Sequence, residues 1–204
     1  MHSLGSDSLR DEGTIAVCNA LEQSKVSKLE ELLIHNNGIG ADGAKAVGAF
    51  CAVSGSLTEL NLFGNSMGED GGTAIAESLL TNRSLLTLKS NHLGSKGAKV
   101  MGEVLKVNNI LRTLEAPSNS IDAEGAKAIA EGLSVNGSLT SLNIANNKIG
   151  PEGMKPLCEA LKVNKTLQVL DVNAGKVNGG EIGPEGAKYV ADMLHVNGSL
   201  TNLS

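Results

Sequence analysis

Leucine pairs recur along the chain at Leu29 and Leu32, Leu57 and Leu60, Leu85 and Leu88, Leu111 and Leu114, Leu139 and Leu142, Leu167 and Leu170, and Leu200 and Leu203. The first leucines stand at 29, 57, 85, 111, 139, 167 and 200, so the steps are 28, 28, 26, 28, 28 and 33 residues. A fixed period of this size marks stacked units, none of which buries its apolar face alone. Within the unit 57–84, Leu60 and Leu62 alternate with polar residues, which predicts a short strand. Ile75 and Leu79, four apart, then predict a helix that ends near Asn82. Each unit is therefore read as one strand and one helix, with six full strands and seven helices in all.

The helices share a template counted from Gly13, Gly43, Gly71, Gly97, Gly125, Gly153 and Gly186. Large apolar residues recur four and eight positions on, as in Ile129 and Leu133, and so lie on one helix face. Five positions on, every residue is small: Cys18, Gly48, Ala76, Gly102, Ala130, Cys158 and Ala191. That column is expected to let the helix approach the sheet. Cys18 and Cys158 fill it and Cys51 fills a large core position, so all three read as buried small hydrophobes rather than metal ligands. Asn37, Asn65, Asn119 and Asn147 each follow the second leucine by five residues and are expected to bond backbone groups as a ladder.

The run 139–153, with Leu139, Leu142, Ile144, Asn147, Ile149 and Gly153 at the template positions, resembles a leucine-rich repeat of the ribonuclease-inhibitor class. The same class builds the sensor arrays of NOD-like receptors and the GTPase-activating protein for Ran. The likeness covers essentially the whole chain, 1–204, as a single domain of about seven repeats. It implies an α/β leucine-rich-repeat solenoid, a right-handed horseshoe with a parallel β-sheet on the concave face and helices on the convex face. It also implies protein–protein recognition, mostly inside cells. Ribonuclease inhibitors proper resemble a cysteine-rich, aromatic-lined version of this fold, and this chain is neither. It also shows no nucleotide-binding module of the kind a complete NOD-like receptor carries.

Composition narrows the function. Hydrophobic residues make up 41% of the chain and aromatics only 1%, so the core must be aliphatic and aromatic anchors for a partner are scarce. The net charge of −5 forms no basic stripe, which argues against nucleic acid and anionic membranes as partners. No apolar run approaches the ~18 residues of a membrane span, and the first residues lack the apolar core of a signal peptide. Three cysteines, an odd number in dissimilar contexts, point to reduced thiols and a cytoplasmic location. His2, His35, His92 and His195 occupy unrelated template positions with no ligand or triad spacing. Glycosylation sequons begin at Asn82, Asn136, Asn164 and Asn197, but all four fall in the same helix-to-strand turn and read as turn formers. The expectation is a non-enzymatic scaffold with no catalytic, cofactor-binding or metal residues.

Two units break the period. The interval from second leucine to glycine is 6 residues between Leu88 and Gly94 but 8 between Leu60 and Gly68, which predicts a clipped loop or a displaced strand. From Leu170 to Gly183 it is 13, and Gly175, Gly179 and Gly180 suit a bulge between Asn173 and Gly183. Both ends read as cut within a repeat, so either the array is a fragment or copies associate through uncapped terminal strands. Strand alternation puts the variable positions on the concave side. The candidate partner-binding residues are Glu31, Leu33, His35, Glu59, Asn61, Phe63, Glu115, Asn143, Asp171 and Asn173. They form a mildly acidic trough with an apolar spot at Leu33 and Phe63, suited to a protein with a basic surface. The alternatives are a regulator of a small GTPase, similar to the Ran activator, and the ligand-sensing array of a larger NOD-like receptor.

Overall fold

The structure is a computed structural model that describes residues 4–24, 26–90, 92–175 and 179–204. Helix and strand alternate without exception among the described residues. The order is α1 (Arg10–Gln23), β1 (Glu31–Leu33), α2 (Ala41–Val53), β2 (Glu59–Asn61), α3 (Gly68–Ser78), β3 (Thr87–Lys89), α4 (Gly94–Val107), β4 (Thr113–Glu115), α5 (Ala123–Leu133), β5 (Ser141–Asn143), α6 (Gly150–Val163), β6 (Val169–Asp171), α7 (Gly183–Leu194) and β7 (Asn202–Leu203). The strands form one seven-stranded parallel sheet in chain order. Its register sets Leu32, Leu60, Leu88, Leu114, Leu142, Leu170 and Leu203 side by side. Parallel neighbours need a crossover, and the helix of each repeat supplies it. Strands pair at ~4.8 Å whereas packed helices sit ~8–10 Å apart. The helix layer is therefore the longer arc, and the sheet lines the concave side.

Each strand from β1 to β6 is half-buried, buried, half-buried, with the leucine in the middle. Leu57, Leu60, Leu62, Met67, Ile75 and Leu79, one repeat's worth, are completely enclosed. The core is aliphatic apart from Phe50.

The small column works differently from expectation. At Gly48 and Gly102 it faces the next helix rather than the sheet. A Cβ on Gly48 would lie 2.9 Å from the Ala74 carbonyl oxygen of α3. One on Gly102 would collide with the Ala128 carbonyl of α5, and Gly132 returns the contact 2.5 Å from the Gly102 carbonyl. Helices, not helix and sheet, are what these glycines bring together.

The predicted asparagine ladder is present. Asn65 Oδ1 accepts from the Asn37 and Ile39 amides at 2.9 and 3.1 Å, while its Nδ2 donates to the Ile34 and Leu62 carbonyls at 3.0 and 2.8 Å. Asn147 repeats the pattern on the Asn119 and Ile121 amides. A second ladder runs through Asn82, Asn108, Asn136, Asn164 and Asn197 at the helix exits. Their Nδ2 groups donate to the carbonyls of Cys51, Leu79, Leu105, Leu133 and Leu161 at 2.6–2.8 Å, one helix back. These are helix C-terminal carbonyls that lack an intrahelical partner. Asn82, Asn136 and Asn164 are 1%, 7% and 4% exposed, so these sequon nitrogens are buried in the framework.

At the short repeat β3 keeps register with both neighbours, so the strand is not displaced. The two missing residues come out of the connection to α4, where Asn91 lies outside the described residues. In the long repeat Gly175 and Gly179 take positive φ (57° and 78°), and the middle of the expected bulge, 176–178, lies outside the described residues. Neighbouring helices also cap one another. Asp11 Oδ1 of α1 accepts from the Gly40 and Gly43 amides at the start of α2, at 2.6 and 3.0 Å.

Candidate functional site

The half-exposed first and third residues of each strand make up the concave face. In the first position stand Glu31, Glu59, Thr87, Thr113, Ser141 and Val169. In the third stand Leu33, Asn61, Lys89, Glu115, Asn143 and Asp171. The register makes Glu31 and Glu59 direct neighbours, a like-charge pair that is unfavourable by itself. Lys89 relieves it, with Nζ 3.1 Å from Glu59 Oε1. Lys89 also stands beside Glu115 in the register. The trough therefore falls into two acidic stretches, Glu31 with Glu59 and Glu115 through Asp171, separated by one lysine.

Not every candidate side chain is free to meet a partner. Asn61 Oδ1 accepts from the Phe63 amide at 3.1 Å, Asn143 Oδ1 from Ala145 at 3.0 Å and Asp171 Oδ1 from Asn173 at 3.1 Å. Asn173 Oδ1 in turn accepts from Gly175 at 2.8 Å. At Asn61, Asn143 and Asp171 the third strand position thus helps turn the chain out of the sheet, a task that spacing alone did not reveal. His35 is half-buried with an Nδ1 that is enclosed and lacks a hydrogen bond, and its ring lies where a Cβ on Gly5 would be. Phe63 is 44% exposed and sits one repeat from His35, giving the trough an apolar end with Leu33. Glu31 and Glu115 form no ion pair among the described residues.

Among the described residues, no group of three or more His, Cys, Asp or Glu side chains could hold a metal ion. Burial pushes the Cys18 thiol up to about 12, with Glu22 adding to it, and the Cys158 thiol up to about 11, with Glu159 adding. Burial raises Cys51 as well, against a hydrogen bond from Ser78. The thiolate is the nucleophile, so these thiols are inert near neutrality. Among the described residues, no helix is long and apolar enough to cross a membrane.

A family model described as "Leucine Rich repeat" matches residues 54–76 and 135–158. Each match runs from a helix exit through a strand into the following helix, the unit that recurs in the whole structure. The chain is a leucine-rich-repeat protein. Its 28-residue strand–helix unit is that of the ribonuclease-inhibitor class. RAN GTPase-activating protein 2 of Arabidopsis thaliana is 30% identical over 114 residues, covering 54% of this chain and 21% of the plant protein. The leucine-rich-repeat chain thus matches about a fifth of that relative's length. The solved structure of Leiomodin-1 Actin-Binding Site 2 shares the fold with a TM-score of 0.58 at 22% identity, covering 67% of this chain and 78% of that one. At that identity the likeness concerns the fold alone.

Proposed function

We propose that this chain is a non-enzymatic scaffold of the cytoplasm that holds a protein with basic side chains against its concave sheet face and adjoining loops. The observation that carries the reading is the placing of Glu31 and Glu115, half-exposed on the sheet and without ion pairs among the described residues, with Glu31 beside the apolar end at Leu33 and Phe63 and Glu115 beyond Lys89. Charge steers the partner and sets its register, while the exposed Phe63 ring contributes contact area. A random peptide library displayed on phage tests this. Recovered sequences are expected to be rich in Lys and Arg. Glu31→Lys with Glu115→Lys is expected to weaken them at least ~10-fold, the equivalent of 1.4 kcal/mol.

A second reading is regulation of a small GTPase, favoured by the likeness to the plant RAN GTPase-activating protein. A stimulated-hydrolysis assay with GTP-loaded Ran separates the two. Faster hydrolysis supports the regulator, and binding without acceleration supports the scaffold.

A further inference from the structure

The concave face has the dimensions of a single helix. Strands β1 to β6 are three residues long, so at ~3.3 Å per residue the sheet is ~10 Å wide. With seven strands in order and ~4.8 Å between neighbours it is ~29 Å long. An α-helix with its side chains is ~10–12 Å across. The middle of the first column is Thr87, Thr113 and Ser141, short hydroxyl side chains that keep the space above the sheet open. The backbone groups of the strands are bonded to neighbouring strands, so the face presents side chains alone. An extended peptide desolvated on it would leave backbone groups unpaired, whereas a helix brings its own hydrogen bonds.

The charges set a spacing on that helix. Glu31 in the first column of β1 and Glu115 in the third column of β4 are three strands and two residues apart in the register, a separation of ~16 Å. Eleven helical residues rise ~16.5 Å and bring the side chain back to within ~20° of the same direction. Two basic residues eleven apart on a helix therefore reach both carboxylates at once. Lys89 is two strands and two residues from Glu31, ~12 Å away, close to the ~10.5 Å rise of seven helical residues. It already holds Glu59 at 3.1 Å and repels a third cation placed above it. Leu33 and the exposed Phe63 flank the Glu31 end, so an apolar residue one turn inward from the first basic residue covers them.

We propose, resting on the reading of this face as the dock for a basic partner, that the partner presents an amphipathic α-helix laid diagonally across β1 to β4. Its Lys or Arg side chains stand at two positions eleven apart and meet Glu31 and Glu115. The position between them, over Lys89, carries no cation. A Leu, Ile or Val one turn in from the residue on Glu31 packs on Leu33 and Phe63. Charge fixes where the helix lies along the trough, and the apolar contact fixes which end is which.

A displayed library of Ala-rich 20-residue helices, randomised along one face, tests the spacing. Recovered helices are expected to carry Lys or Arg eleven apart, with an apolar residue one turn from one of them. Moving one lysine so that the pair is nine apart turns it to the opposite side of the helix at unchanged composition. Binding in fluorescence anisotropy is then expected to fall at least ~10-fold. A proline in the middle of the helix is expected to do the same. Both changes are made in the peptide and leave the fold of the protein untouched. Charge swaps test the register. Glu31→Lys weakens binding, and a Glu in place of the lysine nearer the apolar residue restores it, whereas a Glu in place of the other lysine does not. Glu115→Lys shows the reverse. The helix is overturned, with the basic partner kept, if the nine-spaced or the proline peptide binds as tightly as the parent peptide. The same holds if either swap restores both variants, or if basic peptides come from the random library alone. If neither library yields basic peptides, both readings fall.

Discussion

Asn147 serves five backbone groups, accepting from the Asn119 and Ile121 amides and donating to the carbonyls of Ala116, Ile144 and Ala145. It is 2% exposed, so the backbone groups it serves are shielded from bulk water. An unpaired buried amide costs ~1–3 kcal/mol. Asn147→Ala is accordingly expected to lower stability by about 2–4 kcal/mol in urea unfolding, while the exposed Lys148→Ala changes it by less than ~0.5 kcal/mol. This ladder was legible in the sequence because one residue type recurs at one position. The second ladder was read only as a set of turns. Nothing in the sequence shows that Asn82, Asn108 and their counterparts reach one helix back. The cysteines were legible as core residues, and their burial has a consequence for pH. Below pH 9.0, the ordinary thiol value, they are protonated in both folded and unfolded chains and add no pH dependence. Above it the unfolded chain releases these protons while the folded chain keeps them until about 11 for Cys158 and about 12 for Cys18. Stability therefore falls from pH 9 toward 11, by at most ~1.4 kcal/mol per unit for each thiol. Cys18→Ala with Cys158→Ala is expected to flatten that slope in denaturation measured at stepped pH.

At the scale of elements, the period of four on the helices and two on the strands placed every element from α1 to β6. The observed register keeps the leucines in one column, because a slip would carry them off the core face. Which neighbour the small column faces was not legible, since a small side chain is equally suited to a sheet or to a helix. The contact of Gly102 with Ala128 settles it for the α4–α5 pair. Gly102→Val should force these two helices apart and destabilise the chain by about 1–3 kcal/mol, the range for overpacking. At Gly55 an added Cβ meets nothing within 4 Å, so Gly55→Ala is expected to be neutral or to stabilise by up to ~1 kcal/mol. Thermal unfolding of the two variants side by side checks the assignment. Equal stability would show that the helices can separate freely and that the small column does not set their spacing.

Across the whole molecule, stacking converts a one-dimensional repeat into a sheet whose exposed columns can be varied without touching the core. The columns themselves were readable from strand alternation. Their electrostatics were not, because the diagonal pair of Lys89 with Glu59 appears only when β2 and β3 are set in register. That pair divides the acidic trough, and it moves the sites worth testing from Glu59 to Glu31 and Glu115. The exposed valines at the helix exits, Val53, Val107, Val135, Val163 and Val196, escaped the sequence reading for the opposite reason. An exposed apolar residue at a helix end resembles core until the turn of the helix is known. The sheet face is the central claim, and titration calorimetry tests it most directly. Lys- and Arg-rich peptides recovered on the parent chain are titrated into it and into Glu31→Lys with Glu115→Lys. The account predicts binding at least ~10-fold weaker for the variant, with the difference shrinking at high salt as the charges are screened. Equal affinity for the two chains would contradict it.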